Sequence, residues 1–431
     1  MKSSIRWVPG LSALALTAAL AAGCGSSNDD KSTDTAAAAP AATSTAAAAP
    51  DTASALGTPK AASGSPVVLG LLNLESGPVT FPEYRQAAEA AVKYINAYKG
   101  GIGGHPVKID SCATDGQPST SSRCANQIVD KKPALILGGA DTGAPGAFPV
   151  YARSKLAYVG GIPFTPAESD SPDAIQFISI SIGDNAAAVQ YAKEKLGVKK
   201  ATVLYTDDTQ GKFTGLGVIV PAMKAAGIDA KSVPVAPNAA DLSSVAASAV
   251  SSSPDLIYVN SPNACPALLK ALKSVGSTAK IMGIDPCTSP PALKTAGDAA
   301  EGLYFAQPFE SLDSGAPDAN LMLAAVQKYG PKDLALDSIA QAGFASVMNI
   351  QAKLDPLGVD GLNKDAILKA FKTGTDNAGF LSHEYTCDGK QLAGNQSVCN
   401  TYQLIKQVKG GKVTTVDKTW VTGADLYQPG A

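Results

Sequence analysis

From Pro66 onward, short apolar runs alternate with helix-length amphipathic segments, and this alternation restricts the fold more than any other feature of the chain. Residues 67–74 form a nearly unbroken apolar run bounded by Ser76-Gly77-Pro78, the pattern of a strand buried on both faces. The following segment carries Tyr84, Ala88, Ala91, Ile95 and Tyr98 at alternating spacings of four and three, one stripe of a helix. Pro82 stands near its first turn and Gly100-Gly101 closes it. The same reading predicts strands at 107–109, 134–137, 156–159 and 175–180, with helices at 118–129 and 145–154. The pattern then restarts. Strands are expected at 201–205, 231–235, 255–259, 280–283 and 302–305. Between the first two of these runs a helix with Phe213, Leu216, Val220 and Met223 on its apolar face, stopped by Gly227. A helix opening at Asp241 and one lined by Leu268, Leu269, Leu272 and Val275 follow, then helices at 317–329 and 336–354, the last with Ile339, Gly343, Val347, Ile350 and Leu354 on one side. Residues 401–408 and 413–416 around Gly410-Gly411 read as a β-hairpin.

Such alternation means an α/β fold with parallel sheets flanked by helices. The stretch is longer than one hydrophobic core usually fills, so two lobes are expected. In such sheets ligands settle beyond the carboxyl ends of the strands, which directs attention to the loops after Leu74, Leu137, Val159, Tyr205, Val259 and Gly283.

The N-terminus sets the compartment. Lys2 and Arg6 precede an uncharged, Ala-rich run at 7–22, too short for a comfortable membrane span. It ends in Leu20-Ala21-Ala22-Gly23-Cys24, which resembles a bacterial lipobox, although the large apolar residue stands four rather than three places before the cysteine. Residues 1–23 are therefore expected to be a signal peptide and Cys24 a lipidated N-terminus; the alternative is an ordinary secretory signal with a chance cysteine. From 24 to 65 the chain is Ala, Ser, Thr and Pro with little to bury, the composition of a disordered tether. No later segment is apolar enough to cross a bilayer, so membrane attachment would rest on the lipid alone, on the outer face of the cytoplasmic membrane.

The net charge of −2 and the absence of a Lys/Arg cluster argue against nucleic acid as a partner. Six cysteines besides Cys24 fall as close pairs, Cys112 with Cys124, Cys265 with Cys287 and Cys387 with Cys399. Local closure costs least entropy, so three disulfides in that order are expected. A metal cluster is a poor competitor: there is no CxxC, and the two histidines, His105 and His383, lack ligand spacing.

Several stretches together resemble the leucine/isoleucine/valine-binding family of ABC-importer receptors. "VVLGLLNLESGPVTFPEYRQAAEAAVKYINAYKGGIGGHPVKI" is similar to its opening strand, long helix and Gly-rich turn. "CATDGQPSTSSRCANQIV" resembles the following loop and helix, where relatives often carry a disulfide like Cys112–Cys124. "ATVLYTDDTQGKFTGLGVIVPAMKAAGIDA", "AADLSSVAASAVSSSPDLIYV" and "CDGKQLAGNQSVCNTYQLIKQVKGGKV" resemble later segments in the same order. The resemblance implies a type I periplasmic binding protein fold: two Rossmann-like lobes joined by three hinge crossings, near 181–183, 307–309 and 382–385. The first lobe would hold 66–182 and 309–384, the second 183–308 and 385–431.

It also implies site residues. In Gly139-Ala140-Asp141-Thr142-Gly143-Ala144, Thr142 or Gly143 holds the place of a hydroxyl residue that binds a ligand carboxylate; a tight βα turn needing glycine for its backbone angles is the plainer account. In Gly160-Gly161-Ile162-Pro163-Phe164-Thr165, backbone groups such as Gly161 and the Thr165 hydroxyl would face the ligand and Phe164 would form an apolar wall; alternatively Thr165-Pro166 starts a turn. Where relatives place an aromatic in the second lobe this chain has Gln210, with Tyr205 nearby and Phe213 read as core, which favours a more polar ligand. Asp285 stands where amino-acid binders carry an acid for the ligand's ammonium, a group costly to bury unpaired; it could instead be a solvated or capping residue.

The expected function is that of an extracytoplasmic lipoprotein receptor, a monomer, capturing a small polar solute, an amino acid or amide, for the permease of an ABC importer. A ligand sensor with the same body but no link to transport is the alternative. No enzyme and no cofactor is expected: "GGIGG" follows a helix rather than a strand and lacks the last glycine of a dinucleotide fingerprint, and no P-loop, G-x-S-x-G or HExxH occurs.

Overall fold

The computed structural model describes residues 52–77 and 79–429. The expected signal peptide, Cys24 and most of the expected tether therefore lie outside the described residues. The first lobe is built on a parallel sheet of order β2-β1-β3-β4-β5. After α1 (Thr52–Leu56) come β1 (Val67–Leu74), α2 (Pro82–Tyr94), β2 (Val107–Thr114), α3 (Pro118–Val129), β3 (Leu135–Leu137), α4 (Ala144–Arg153), β4 (Tyr158–Val159), α5 (Pro166–Ser169) and β5 (Ala174–Ile175). The second lobe contributes α6 (Gly183–Glu194), β6 (Lys200–Thr206), α7 (Thr209–Thr214), α8 (Val220–Ala225), β7 (Asp229–Val235), α9 (Ser243–Val250), β8 (Leu256–Asn260), α10 (Cys265–Ser274), β9 (Lys280–Gly283), α11 (Pro290–Ala296) and β10 (Tyr304–Gln307). Three helices, α12 (Pro317–Tyr329), α13 (Ser338–Leu354) and α14 (Lys364–Lys372), return to the first lobe, and the hairpin β11 (Gln403–Lys409) and β12 (Lys412–Val421) completes the second sheet, order β12-β11-β10-β9-β8-β6-β7.

β1 lies between β2 and β3 and is buried on both faces, as its unbroken apolar run requires. One face of the sheet is covered by α3 and α4 through Leu72, Ile128, Ile136 and Tyr151, the other by α2, α12, α13 and α14. In the second lobe α6 and α8 cover one face and α9, α10 and α11 the other. Gly100, at φ 79°, ends the helix after a π turn at Ile95–Lys99. Just before it, Asn96 exchanges two hydrogen bonds with Val107 and so fixes where β2 starts. The three disulfides join Cys112 to Cys124, Cys265 to Cys287 and Cys387 to Cys399, as local closure predicts.

Several expectations need correction. The tether does not run to residue 65: Leu56 is buried in the first lobe's core, and Lys60, Ala62 and Ser63 donate backbone hydrogen bonds to Ala97, Asn96 and Gly104. α6 has no counterpart in the sequence reading because its buried face is mostly alanine, Ala186, Ala187, Ala188 and Ala192, with no large apolar stripe. Phe213 is not core. It is 41% exposed and Leu216 39% exposed, because a π turn at Gly215–Ile219 shifts the helix phase and the face against the sheet is made of glycine. A Cβ on Gly211 or Gly215 would lie 2.1 Å from the Thr206 carbonyl oxygen or 2.6 Å from the Tyr205 Cβ. Val275 is also exposed. The third passage between lobes comes later than 382–385: Tyr385, Cys387 and Cys399 belong to the first lobe's core, and Val398 bridges Gln176 beyond β5, so the chain enters the second sheet only at Gln403.

Helices α2 and α13 of the first lobe approach closely at Gly343 on α13, where a Cβ would sit 2.2 Å from the Tyr84 carbonyl oxygen of α2. Gly343→Ala should cost about 1–3 kcal/mol of unfolding free energy by forcing these helices apart, as read by denaturant titration.

Candidate ligand-binding site

In both lobes the carboxyl ends of the parallel strands carry the loops singled out from the sequence. Asn73, fully buried at the end of β1, ties two of them together. Its Nδ2 donates to the Phe81 carbonyl (2.8 Å) and to Glu75 Oε1 (3.0 Å), while its Oδ1 accepts the Ala140 N–H (3.1 Å). Glu75 is also held by Arg85 through both carboxylate oxygens, at 2.8 and 2.9 Å. Phe81 stacks on Phe164 with ring centroids 5.7 Å apart, so two mouth loops share a half-buried aromatic wall. Val79, in the first of these loops, is 53% exposed.

The loop after β3 is as tight as its glycines suggest: a Cβ on Gly138 or Gly139 would lie 2.1 Å from the Gly160 oxygen or 1.8 Å from the Leu72 oxygen. Asp141 is buried and accepts hydrogen bonds from Thr114 Oγ1 (2.8 Å), Ser121 Oγ (2.7 Å) and the Gly143 N–H (3.1 Å). The Gly143 N–H is therefore taken, Ala144 and Gly146 bond within the same turn, and Pro145 has no N–H to offer. Thr142 is exposed, with only a 3.4 Å contact from its hydroxyl to the Gly116 carbonyl.

In the loop after β4, Gly160 and Gly161 adopt φ of 78° and 94°, and the Gly161 N–H donates to Ser346 Oγ at 3.3 Å. Ser346 lies on α13, so the helix layer supports this loop from beneath. Thr165 forms a capping box with Glu168: its N–H (2.9 Å) and hydroxyl (3.0 Å) both donate to Glu168 Oε2, and Tyr158 donates to Oε1 at 3.2 Å. Burial pushes the Glu168 carboxyl up to about 8 despite these donors.

In the second lobe Tyr205 is buried on β6, and Gln210 is exposed on α7. Thr206 and Ser261 share a 2.8 Å hydrogen bond that joins the loops after β6 and β8. Asp285 follows β9. Its Oδ1 accepts from Gln307 Nε2 (3.2 Å) and Thr288 Oγ1 (3.4 Å), and its Oδ2 accepts from Ser338 Oγ. Ser338 is the first residue of α13, a first-lobe helix, so this hydrogen bond spans the two lobes. Two residues beyond Asp285, Cys287 is bridged to Cys265 at the start of α10, which braces the loop.

Thr142, Gly143, Gly161 and Thr165 thus share the first lobe's mouth, and Tyr205 and Gln210 lie at the end of β6 and Asp285 at the end of β9, with β8 between them. Only Asp285 reaches across. Asn73, Phe81, Gln307, Ser338 and Lys406 were missed. Lys406 had a signal: a lysine alternating with Leu404 and Val408 on one side of an apolar strand. It is the one buried lysine among the described residues, and burial lowers it to about 8 against the pull of Asp285, Glu310 and Asp313.

Acids dominate the rest of the region. Burial raises Asp184 to about 7, partly offset by Asn185, with Asp285 adding to the rise. Asp337, the cap of α13, is raised by burial and then by Asp285, and Glu83 is raised by burial and then by Asp337 and Glu75. Among the described residues Asp184, Asp337 and Glu83 make no ion pair, so a cationic group entering here would meet uncompensated carboxylates.

Because Glu168 binds its proton more tightly when folded, its stabilising contribution is full below about pH 4.5 and is lost as pH rises through about 8. In Glu168→Gln the amide oxygen can accept from Thr165 and the amide nitrogen can donate to Tyr158. The unfolding temperature of this variant should gain on that of the wild type steadily between those pH values, in thermal unfolding followed against pH.

A family model described as periplasmic binding protein matches residues 66–407. Among solved structures, a leucine-binding protein from Thermotoga maritima is 18% identical, covering 83% of this chain and 99% of its own, with a TM-score of 0.66. A fatty acid ABC transporter substrate-binding protein from Thermomonospora curvata is 18% identical, covering 86% and 96%, with a TM-score of 0.69. A solute-binding protein of an ABC transporter from Rhodopseudomonas palustris, in complex with 3,4-dihydroxybenzoic acid, is 17% identical, covering 83% and 97%, with a TM-score of 0.65. No curated protein matches the sequence.

Proposed function

The chain belongs to the periplasmic binding protein family, and from that premise we propose that it is the lipid-anchored, extracytoplasmic receptor of an ABC-type importer for a small polar solute, an amino acid or amide. The observation that supports this reading is the hydrogen bond from Ser338 to Asp285, which joins a strand-end loop of the second lobe to a first-lobe helix. A solute held there would touch both lobes and so favour the closed arrangement.

The proposed division of labour follows the chemistry of each wall. Asp285, with Asp184 and Asp337 nearby, receives the ammonium, which takes the place of the Ser338 hydroxyl. The solute's apolar part lies against Phe81 and Phe164, and its polar end against Thr142, whose hydroxyl is the least committed of the first-lobe candidates. Gly161 and Thr165 shape the pocket without donating to the solute, since Ser346 and Glu168 already hold them. Tyr205 and Gln210 stand on the facing side. The relatives described above support coupling to a permease; their named ligands differ in kind, so ligand class rests on this chain's own residues.

A thermal-shift screen of amino acids, amides, polyamines and short organic acids, followed by calorimetry, tests the reading. Amine-bearing compounds should bind, and Asp285→Asn should weaken the best of them by about tenfold or more, the scale of a hydrogen bond to a charged group. A strongest hit on an organic acid with no amine would overturn the role of Asp285. For the anchor, Cys24→Ser should abolish incorporation of labelled fatty acid into the protein in cells.

A further inference from the structure

Among the described residues six buried side-chain atoms lack a hydrogen-bond partner, and four of them belong to Gln176, Asn349 and Gln403. Gln176 stands just before the first passage between the lobes and Gln403 at the end of the third. Asn349, on α13, shares a cavity with Ile178 and Phe309, which flank the first two passages. Its amide is well defined. Asn349 is 3% exposed, and its Oδ1 accepts the Phe380 N–H at 2.9 Å. That bond fixes the orientation, because a flipped amide would set Nδ2 against the same N–H. Nδ2 is therefore held as a buried donor with no protein acceptor, an arrangement that folded chains seldom tolerate. The cavity is about 10 Å³, with Gly161, Phe177, Ser346 and Ser382 also on its walls. Room of that size suits one water and is too small for a solute carboxylate.

We propose that this cavity binds a single buried water, which accepts from Asn349 Nδ2 and donates to the Ser382 and Ser346 hydroxyl oxygens. Ser382 gives its own proton to the His383 carbonyl (3.3 Å), so it meets the water as an acceptor. Ser346, one helical turn before Asn349, accepts the Gly161 N–H and has a second lone pair to offer. Two or more polar partners around one water-sized space is what a buried water requires. The site ties α13 to the segment 380–382 at a place where the backbone is under strain. Leu381, fully buried, adopts φ 57°, held there by its N–H to Asp318 Oδ2 (3.0 Å) and by the Glu310 N–H to its carbonyl (2.7 Å). Such a conformation persists only where its neighbours over-determine it, and the water beside Ser382 adds one more constraint. Through Ser346 the same water also backs the Gly161 loop at the mouth.

The site does not depend on what the cleft binds, and its test uses no solute. A high-resolution crystal structure of the full chain should show one spherical density peak at about 2.7–3.2 Å from Asn349 Nδ2. No peak there, an Asn349 amide turned away from Phe380, or the elongated density of a co-purified compound would each overturn the assignment. In solution, oxygen-17 magnetic relaxation dispersion counts the waters held for longer than the protein takes to tumble. Asn349→Leu, which removes the donor at similar size, should lower that count by one relative to the wild type. Ser382→Ala leaves the bond between Asn349 and Phe380 in place, and should shorten the residence time of this water about tenfold, the scale of one hydrogen bond. Equal counts for the wild type and Asn349→Leu, or an unchanged residence time in Ser382→Ala, would also overturn it. Failure of the solute screen would leave the water count unchanged, so the two proposals fail separately.

Discussion

Parallel strand pairing aligns all chain ends of one polarity along one edge of a sheet, and every candidate binding group in this protein owes its position to that constraint. On the first sheet the alignment brings the loops after β1, β3 and β4 so close that backbone meets backbone at Gly138, Gly139, Gly160 and Gly161. Asn73 then exchanges its side-chain amide between two of the loops, and Ser346 reaches up from α13 to a third. The rigidity of the mouth comes from buried hydrogen bonds between neighbouring loops rather than from long secondary structure; β4 is only two residues long.

Much of the fold could be read from the sequence wherever one signal sufficed. Pro118–Val129, Lys280–Gly283 and Pro317–Tyr329 occur with the boundaries expected, because a proline at the start or an apolar run closed by glycine marks each end. What escaped was decided by packing. An alanine face hid α6, and α7 turns glycine toward the sheet because Tyr205 and Thr206 leave no room for a Cβ, which strands Phe213 outside. The docking of Leu56 could not be foreseen either, since one leucine in an Ala-rich run has no partner until the fold supplies it.

The candidate site was legible in position and less so in role. Loop positions follow from topology, so Thr142, Gly161, Thr165 and Asp285 all sit at strand ends. Roles depend on which hydrogen bonds are already spoken for. Thr165 is a helix cap for a buried acid, Gly143 supports Asp141, and Gly161 leans on a helix serine; the first two partners are within three residues and only Ser346 is distant along the chain. Lys406 and Ser338 needed the tertiary structure most, being far from Asp285 along the chain and joined to it only through the hinge.

The early segment from Thr52 to Ser65 is fastened to the first lobe at the end of its sheet away from the mouth, by Leu56 and by backbone bonds to the tail of α2. Mechanically this makes the lobes unequal. Any tension arriving through the N-terminal side is taken up by the first lobe near the amino ends of its strands, and none of it loads the hinge. The first lobe is then the jaw the upstream chain holds, and a swing of the second about the hinge would leave that attachment undisturbed.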